Sequence, residues 1–250
     1  MSYKYFVFDF DGVICDSTEE CMITSWNAWE VWNSRSEFRT TVKEFTEKDK
    51  RDFRSLRLRV RGAGEYYILR RALEESLSIN TQDEYDILEK KWIKNLTPFK
   101  EIFFRMRHQL RENDLQHWID LHPVYEDVIK VISYLNKKNM LFIATMKDAE
   151  SVNLILKKNG LELPSSKLLD QEVLKTKLHA MNIIKEQYGC DKQEMIFIDD
   201  NVTHLIDVAK ANYPIYLSTW GNTLDDHLIF AKQNLVPLLD SPIKLMEYSN

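Results

Sequence analysis

Four carboxylates in this 250-residue chain sit where chemistry could use them: Asp9 and Asp11 in the run Asp9-Phe10-Asp11-Gly12, and the adjacent pair Asp199-Asp200. If they converge without cationic partners they repel one another by roughly several kcal/mol at a low effective dielectric, and a divalent cation relieves that repulsion. Ligands that are all oxygen point to Mg²⁺. The plainer use of such acids is N-capping at strand-to-helix turns, which Asp does commonly. Thr145 closes the run Leu141-Phe142-Ile143-Ala144-Thr145. Its hydroxyl and the backbone N–H groups after it, beginning with Met146, suit a phosphoryl oxygen, although a lone threonine there is more often a cap. Lys175 and Lys177 precede a helical pattern over residues 178–188. One of those ammonium groups could neutralise both a nucleophilic carboxylate and a transferring group, whereas a lysine with no such neighbours is usually solvated.

These groups need elements to bring them together. Residues 3–8 form a short aromatic and apolar run of strand length that stops at Asp9. Similar runs at 140–145, 195–198, 214–217 and 236–239 alternate with helical periods such as Val128, Ile129, Ile132 and Leu135, or Val152, Ile155 and Leu156. Asn159-Gly160 and Tyr188-Gly189 supply helix stops. Alternating strand and helix from about residue 124 implies right-handed crossovers, hence a mostly parallel sheet covered by helices on both faces. In such a sheet ligands bind at the carboxyl ends of strands, where Asp9, Thr145 and Asp199-Asp200 fall.

Residues 18–121 read differently, with helical spacing (Ile23, Trp26, Trp29) and no convincing strand. The expected organisation is an α/β, Rossmann-like core of residues 1–17 and 122–250 interrupted by an all-helical insertion over 18–121. The first strand has to rejoin the later ones, because alone its backbone groups stay unpaired. Within the insertion, Arg51, Arg54, Arg57, Arg59 and Arg61 lead into Gly62-Ala63-Gly64. Arginines spaced by three usually form a solvated face paired to nearby acids. Arg59 and Arg61, beside glycines that permit a close loop, are the candidates to meet an anionic substrate. Trp26, Trp29 and Trp32 read as packing.

Composition narrows the classes further. An apolar content of 44% with 12% aromatics supports a real core, and 34 Lys plus Arg against 39 Asp plus Glu gives a net charge of −5, which argues against nonspecific binding of nucleic acid. No apolar run approaches the roughly 18 residues of a membrane span, so a cytoplasmic protein without a membrane partner is expected. Cys15, Cys21 and Cys190 show no C-x-x-C spacing, and the six glycines fit neither a dinucleotide fingerprint nor a P-loop.

Taken together, Asp9-Phe10-Asp11-Gly12-Val13-Ile14-Cys15-Asp16-Ser17, then Phe142-Ile143-Ala144-Thr145, then a lysine, then Phe197-Ile198-Asp199-Asp200, resemble the haloacid dehalogenase superfamily in order and spacing. The resemblance covers the core and says little about the insertion. It implies that Asp9 attacks phosphorus to form an aspartyl-phosphate, that Asp11 is the general acid and base and a Mg²⁺ ligand through its carbonyl, and that Asp200 completes the shell with Asp199 as ligand or support. Lys177 fits the family's lysine register better than Lys175. An acid at position 11 favours phosphoryl transfer over carbon–halogen cleavage, since the dehalogenase branch lacks it. Met146-Lys147 stand where Asn is common, and His204 stands four residues after Asp200 where many members have Asp. The insertion is similar to a C1-type cap, which implies a small phosphorylated metabolite as substrate. The expected activity is therefore a Mg²⁺-dependent phosphatase. A phosphomutase of the β-phosphoglucomutase type is the alternative, weakened because Cys21 stands where such sequences carry histidine. A non-catalytic binding module is the third reading, and it has no need of clustered carboxylates.

Overall fold

The computed structural model describes residues 3–221 and 223–249, so residues 1–2, 222 and 250 of the expected core lie outside the described residues. The chain divides into two compact units, Met1–Asp16 with Pro123–Asn250, and Ser17–His122. The division falls one residue outside the expected 18–121 at each end.

The first unit is built on a parallel sheet. Its strands are β1 (Tyr5–Phe8), β2 (Leu141–Ala144), β3 (Leu168–Leu169), β4 (Met195–Asp199), β5 (Ile215–Ser218) and β6 (Leu238–Leu239), in the spatial order β3-β2-β1-β4-β5-β6. Helices α6 (Glu126–Lys137), α7 (Ala149–Lys158), α8 (Lys177–Tyr188), α9 (Val202–Lys210) and α10 (Asp225–Gln233) make the crossovers, and α11 (Lys244–Glu247) closes the chain. Every strand pair is parallel, with Val7 in register with Phe142 on one side and Phe197 on the other. Strands covered on both faces read as unbroken apolar runs, as Tyr5-Phe6-Val7-Phe8 and Met195-Ile196-Phe197-Ile198 do. Val7, Phe142 and Phe197 pack on Ala180, Met181 and Ile184 of α8 and on Val202 and Leu205 of α9. Phe6, Phe8, Ile143 and Ile196 alternate with them, point to the other face and are fully buried. On that face α6 meets β2.

The sheet order decides where a ligand goes. The chain winds outward from β1 through β2 to β3, then returns to place β4 on the other side of β1. The β1–β4 seam is therefore the topological switch point, where the loops at the strands' carboxyl ends part and leave a crevice. The run at 236–239 is a strand only at Leu238–Leu239, and β3 is a strand that sequence periodicity does not announce.

In the second unit the described residues form helices and no strand. They are α1 (Thr18–Trp32), α2 (Glu47–Arg57), α3 (Tyr66–Glu74), α4 (Gln82–Asn113) and α5 (Leu115–Asp120). Helix α4 packs on α1 and α3 and bends at Trp92, where φ is −112° and ψ is 17°. Aromatic rings fill the interior: Trp29 meets Tyr67 at 5.6 Å and Phe99 at 6.2 Å, and Tyr66 stacks on Phe103 at 4.8 Å. A buried ion pair crosses it. Glu20 is fully buried and accepts hydrogen bonds from Arg107 Nε (2.9 Å), Arg107 Nη2 (2.8 Å) and Thr24 Oγ1 (2.6 Å). Among the described residues no helix is long and apolar enough to cross a membrane.

Candidate active site

Asp9 follows β1 at the switch point, held there by its amide, which donates to the Ile198 carbonyl of β4 at 2.9 Å. Asp199 ends β4 itself and is fully buried. Lys177 reaches the same point from α8. Thr176 caps that helix, accepting from the His179 amide at 3.0 Å, and this sets Lys177 as its first residue. The Lys177 Nζ lies 2.7 Å from Asp9 Oδ1 and 3.7 Å from Asp199 Oδ2, and donates to the Ala144 carbonyl of β2 at 2.8 Å. Three strand ends thus meet at one ammonium. Lys175 is exposed, and its amide donates to His179 Nδ1 at 3.2 Å.

The charges here are strongly coupled. Burial raises the Asp9 pKa above the ordinary carboxylate value, with Lys177 pulling it down and Asp199 pushing it up. For Asp199 burial acts in the same direction, but the adjacent His204 and Lys177 outweigh it and hold the group at about 2. Burial pulls the Lys177 ammonium down, yet Asp9 and Asp199 prevail and leave its pKa raised. Around Asp199 the Asn201 amide donates to Oδ1 at 2.8 Å, and His204 Nδ1 lies 3.1 Å from Oδ2.

Asp9, Asp199 and His204 each offer a ligand atom, all within 4.8 Å of one another. Carboxylate oxygens with one imidazole nitrogen are a donor set that fits a divalent cation. Asp200 takes a neighbouring position, its carboxylate lying against Gly12: a Cβ built at Gly12 would come 2.0 Å from Asp200 Oδ2, and Gly12 has a φ of +83°. Only glycine meets both conditions.

Asp11 is paired with a residue to which no role had been given. Lys147 Nζ is 3.1 Å from Asp11 Oδ1 and 3.5 Å from Oδ2, and the Lys147 side chain is fully buried. Beside it, Thr145 Oγ1 accepts from the Lys147 amide at 3.1 Å, while the Thr145 amide donates to Leu169 at 2.9 Å. Among the described residues the Met146 amide has no hydrogen-bond partner. Lys147 and His204 stand out in the sequence only as departures from the family pattern, because the partner that gives each its role, Asp11 or Asp199, is set by the fold.

Arg59 and Arg61 belong to the helical unit, in the turn after α2. Arg59 is 4% exposed and donates to the Asn80 carbonyl at 2.7 Å. Arg61 pairs with Glu65 at 3.3 Å, Asp86 at 3.0 Å and Glu89 at 2.6 Å. That is the acid-paired role of such arginines, and it commits the Arg61 guanidinium within its own unit.

Comparison with known proteins bears on this arrangement. A family model described as a haloacid dehalogenase-like hydrolase matches residues 3–211. No curated protein matches the sequence. Among solved structures, a predicted phosphoglycolate phosphatase from Haemophilus somnus 129pt is similar with a TM-score of 0.67 and 14% identity, covering 100% of this chain and 99% of that one. A predicted phosphatase from Clostridium acetobutylicum gives a TM-score of 0.64 and 16% identity over 99% and 98% of the two chains. For a superfamily hydrolase of subfamily IA, variant 1, from Geobacter sulfurreducens PCA the values are 0.53 and 13%, over 99% and 97%. At such identities these likenesses speak for the fold.

Proposed function

The chain belongs to the haloacid dehalogenase-like hydrolase family, and within it we propose a Mg²⁺-dependent phosphatase that hydrolyses a small phosphorylated metabolite through an aspartyl-phosphate on Asp9. The observation that carries this reading is the Lys177 ammonium 2.7 Å from Asp9 and 3.7 Å from Asp199 at the β1–β4 switch point. A phosphoryl group approaching two carboxylates must find positive charge, and the site has it in place. The oxygens of Asp9 and Asp199, with Asp200 and the Asp11 carbonyl as further candidates, would hold the cation, and His204 stands beside Asp199. When bound, Mg²⁺ supplies charge that offsets the repulsion between nucleophile and phosphate and polarises a phosphoryl oxygen.

The chain's own residues do the rest. A carboxylate needs no base to attack, so an oxygen of Asp9 forms a bond to phosphorus as the ester oxygen leaves with a proton from Asp11. Asp11, now a carboxylate, takes a proton from water. That water attacks phosphorus, the Asp9–phosphorus bond breaks, and inorganic phosphate departs. The Met146 amide and the Thr145 hydroxyl are the donors for the developing charge on the phosphoryl oxygens. The helical unit, similar to a C1-type cap in sequence position, is read as the part that selects a small substrate.

A screen of phosphorylated metabolites for Mg²⁺-dependent phosphate release tests this. Release by the wild type and its loss in Asp9→Asn support the reading. Full activity in Asp9→Asn, or transfer of phosphate to a sugar monophosphate without release, contradicts it.

A further inference from the structure

The proposed mechanism places two aspartates a residue apart with opposite tasks, and each has its own lysine. Lys177 serves the nucleophile. Resting on the phosphatase reading above, we propose that Lys147 is a positioning residue for the other: its buried ammonium fixes the Asp11 carboxylate in the orientation from which it gives up and recovers a proton.

Lysine is among the residues least often buried, because its ammonium loses hydration that only a close partner replaces. Lys147 is 1% exposed, and both Asp11 oxygens lie within 3.5 Å of its Nζ. The anchor is firm at its other end too. Its amide donates to Thr145 Oγ1, and the Thr145 amide is bonded across to β3 at Leu169, so the Lys147 backbone is tied to the end of the sheet. Asp11, by contrast, has a side chain 20% exposed in the turn after β1, with Cys15 Sγ 3.9 Å from its Oδ1 as a weaker contact. A carboxylate on two rotatable bonds in a turn has several orientations open to it. Proton transfer succeeds only from within about 3 Å of the accepting oxygen, so restricting those rotors has a direct effect on rate.

The arrangement also bears on substrate. A leaving alkoxide needs the proton that Asp11 carries, and a leaving phenolate of low basicity needs it far less. Loss of Lys147 should therefore be felt selectively. For Lys147→Met, kcat/KM on an alkyl phosphomonoester is expected to fall on the order of 10- to 100-fold, against less than about threefold on p-nitrophenyl phosphate. In an Asp11→Asn background, Lys147→Met should cost nothing further. Lys147→Arg, which keeps a charge at that place, should recover part of the alkyl activity. Equal losses on both substrates, or full additivity with Asp11→Asn, overturn the proposal. A crystal structure of Lys147→Met supplies a readout independent of turnover: an Asp11 side chain in a new rotamer supports the anchoring role, and an unmoved carboxylate refutes it. If the wild type releases no phosphate from any ester, the phosphatase reading falls, and the crystal structure still decides whether Lys147 holds Asp11.

Discussion

Lys177 Nζ stands 2.7 Å from Asp9 Oδ1 while also facing Asp199 Oδ2 at 3.7 Å, so one buried cation is shared by two buried carboxylates from adjacent strands. One ammonium between two buried carboxylates, with the His204 imidazole beside Asp199, leaves Asp9 dependent on a shared cation, which is the electrostatic reason the site suits a divalent ion.

Lys177→Met should therefore act in opposite directions on stability and on metal binding. Without metal, Asp9 loses its nearest cation and Asp199 keeps His204 as its neighbour, for a loss of about 3–5 kcal/mol in urea unfolding. The same substitution removes the competing ammonium, so Mg²⁺ affinity by titration calorimetry should rise while turnover falls on the order of 100-fold or more. A variant as stable as wild type, or with weaker Mg²⁺ binding, contradicts this account of the charge balance.

Gly12→Ala tests the turn that seats Asp200. With a φ of +83° and an added Cβ 2.0 Å from Asp200 Oδ2, alanine brings both backbone strain and a clash. The expected cost is about 1–3 kcal/mol, together with weaker Mg²⁺ binding if Asp200 shares in the site. An unchanged melting temperature would show that the turn relaxes freely.

Acid stability in the absence of metal follows from Asp199. Its pKa is held at about 2, against about 3.9 in an unfolded chain. Between those values the unfolded state binds more protons, so this contribution is complete above about pH 5 and is lost as the pH falls through about 2, amounting to roughly 2–3 kcal/mol. His204 is the largest influence opposing burial. His204→Ala should thus raise the Asp199 pKa and move the acid-unfolding midpoint, followed by circular dichroism with chelator present, to higher pH. A midpoint that stays put rules out His204 as the group that keeps Asp199 ionised.

In the helical unit the buried Glu20–Arg107 pair gives a stability prediction independent of catalysis. Glu20→Ala strands the Arg107 guanidinium, which is only 6% exposed, and should cost about 3–5 kcal/mol. Replacing both partners by apolar residues of similar volume should recover much of that loss. If the double variant is no better than the single, the pair is not what the interior depends on.

Much of the architecture was legible because the sheet's strands are continuous apolar runs and its helices show clear periods. Strand β3 was not, since Leu168–Leu169 is too short to carry a pattern and becomes a strand only by pairing with Ile143 and Ala144. Around the site, Asp9 and Asp199 could be placed at strand ends from local sequence alone. Lys177 is separated from Lys175 only by the register of the family resemblance, and the Thr176 cap that makes Lys177 the first residue of α8 emerges from the fold. Lys147 could not be assigned this way: it meets Asp11 across 136 positions of chain, and nothing near it in sequence distinguishes it from a solvated lysine. The arginines after α2 show the converse. Their run invites an anion-binding reading until Glu65, Asp86 and Glu89 are seen around Arg61.

Direct detection of the covalent intermediate bears most closely on the central claim. Wild-type protein is mixed with Mg²⁺ and a phosphomonoester that the screen identifies, quenched in acid within one turnover, digested and analysed by mass spectrometry. The account predicts one added phosphoryl group on the peptide containing Asp9, lost on treatment with hydroxylamine and absent from Asp9→Asn. Turnover with no phosphorylated peptide, or a phosphoryl group on another residue, would contradict it.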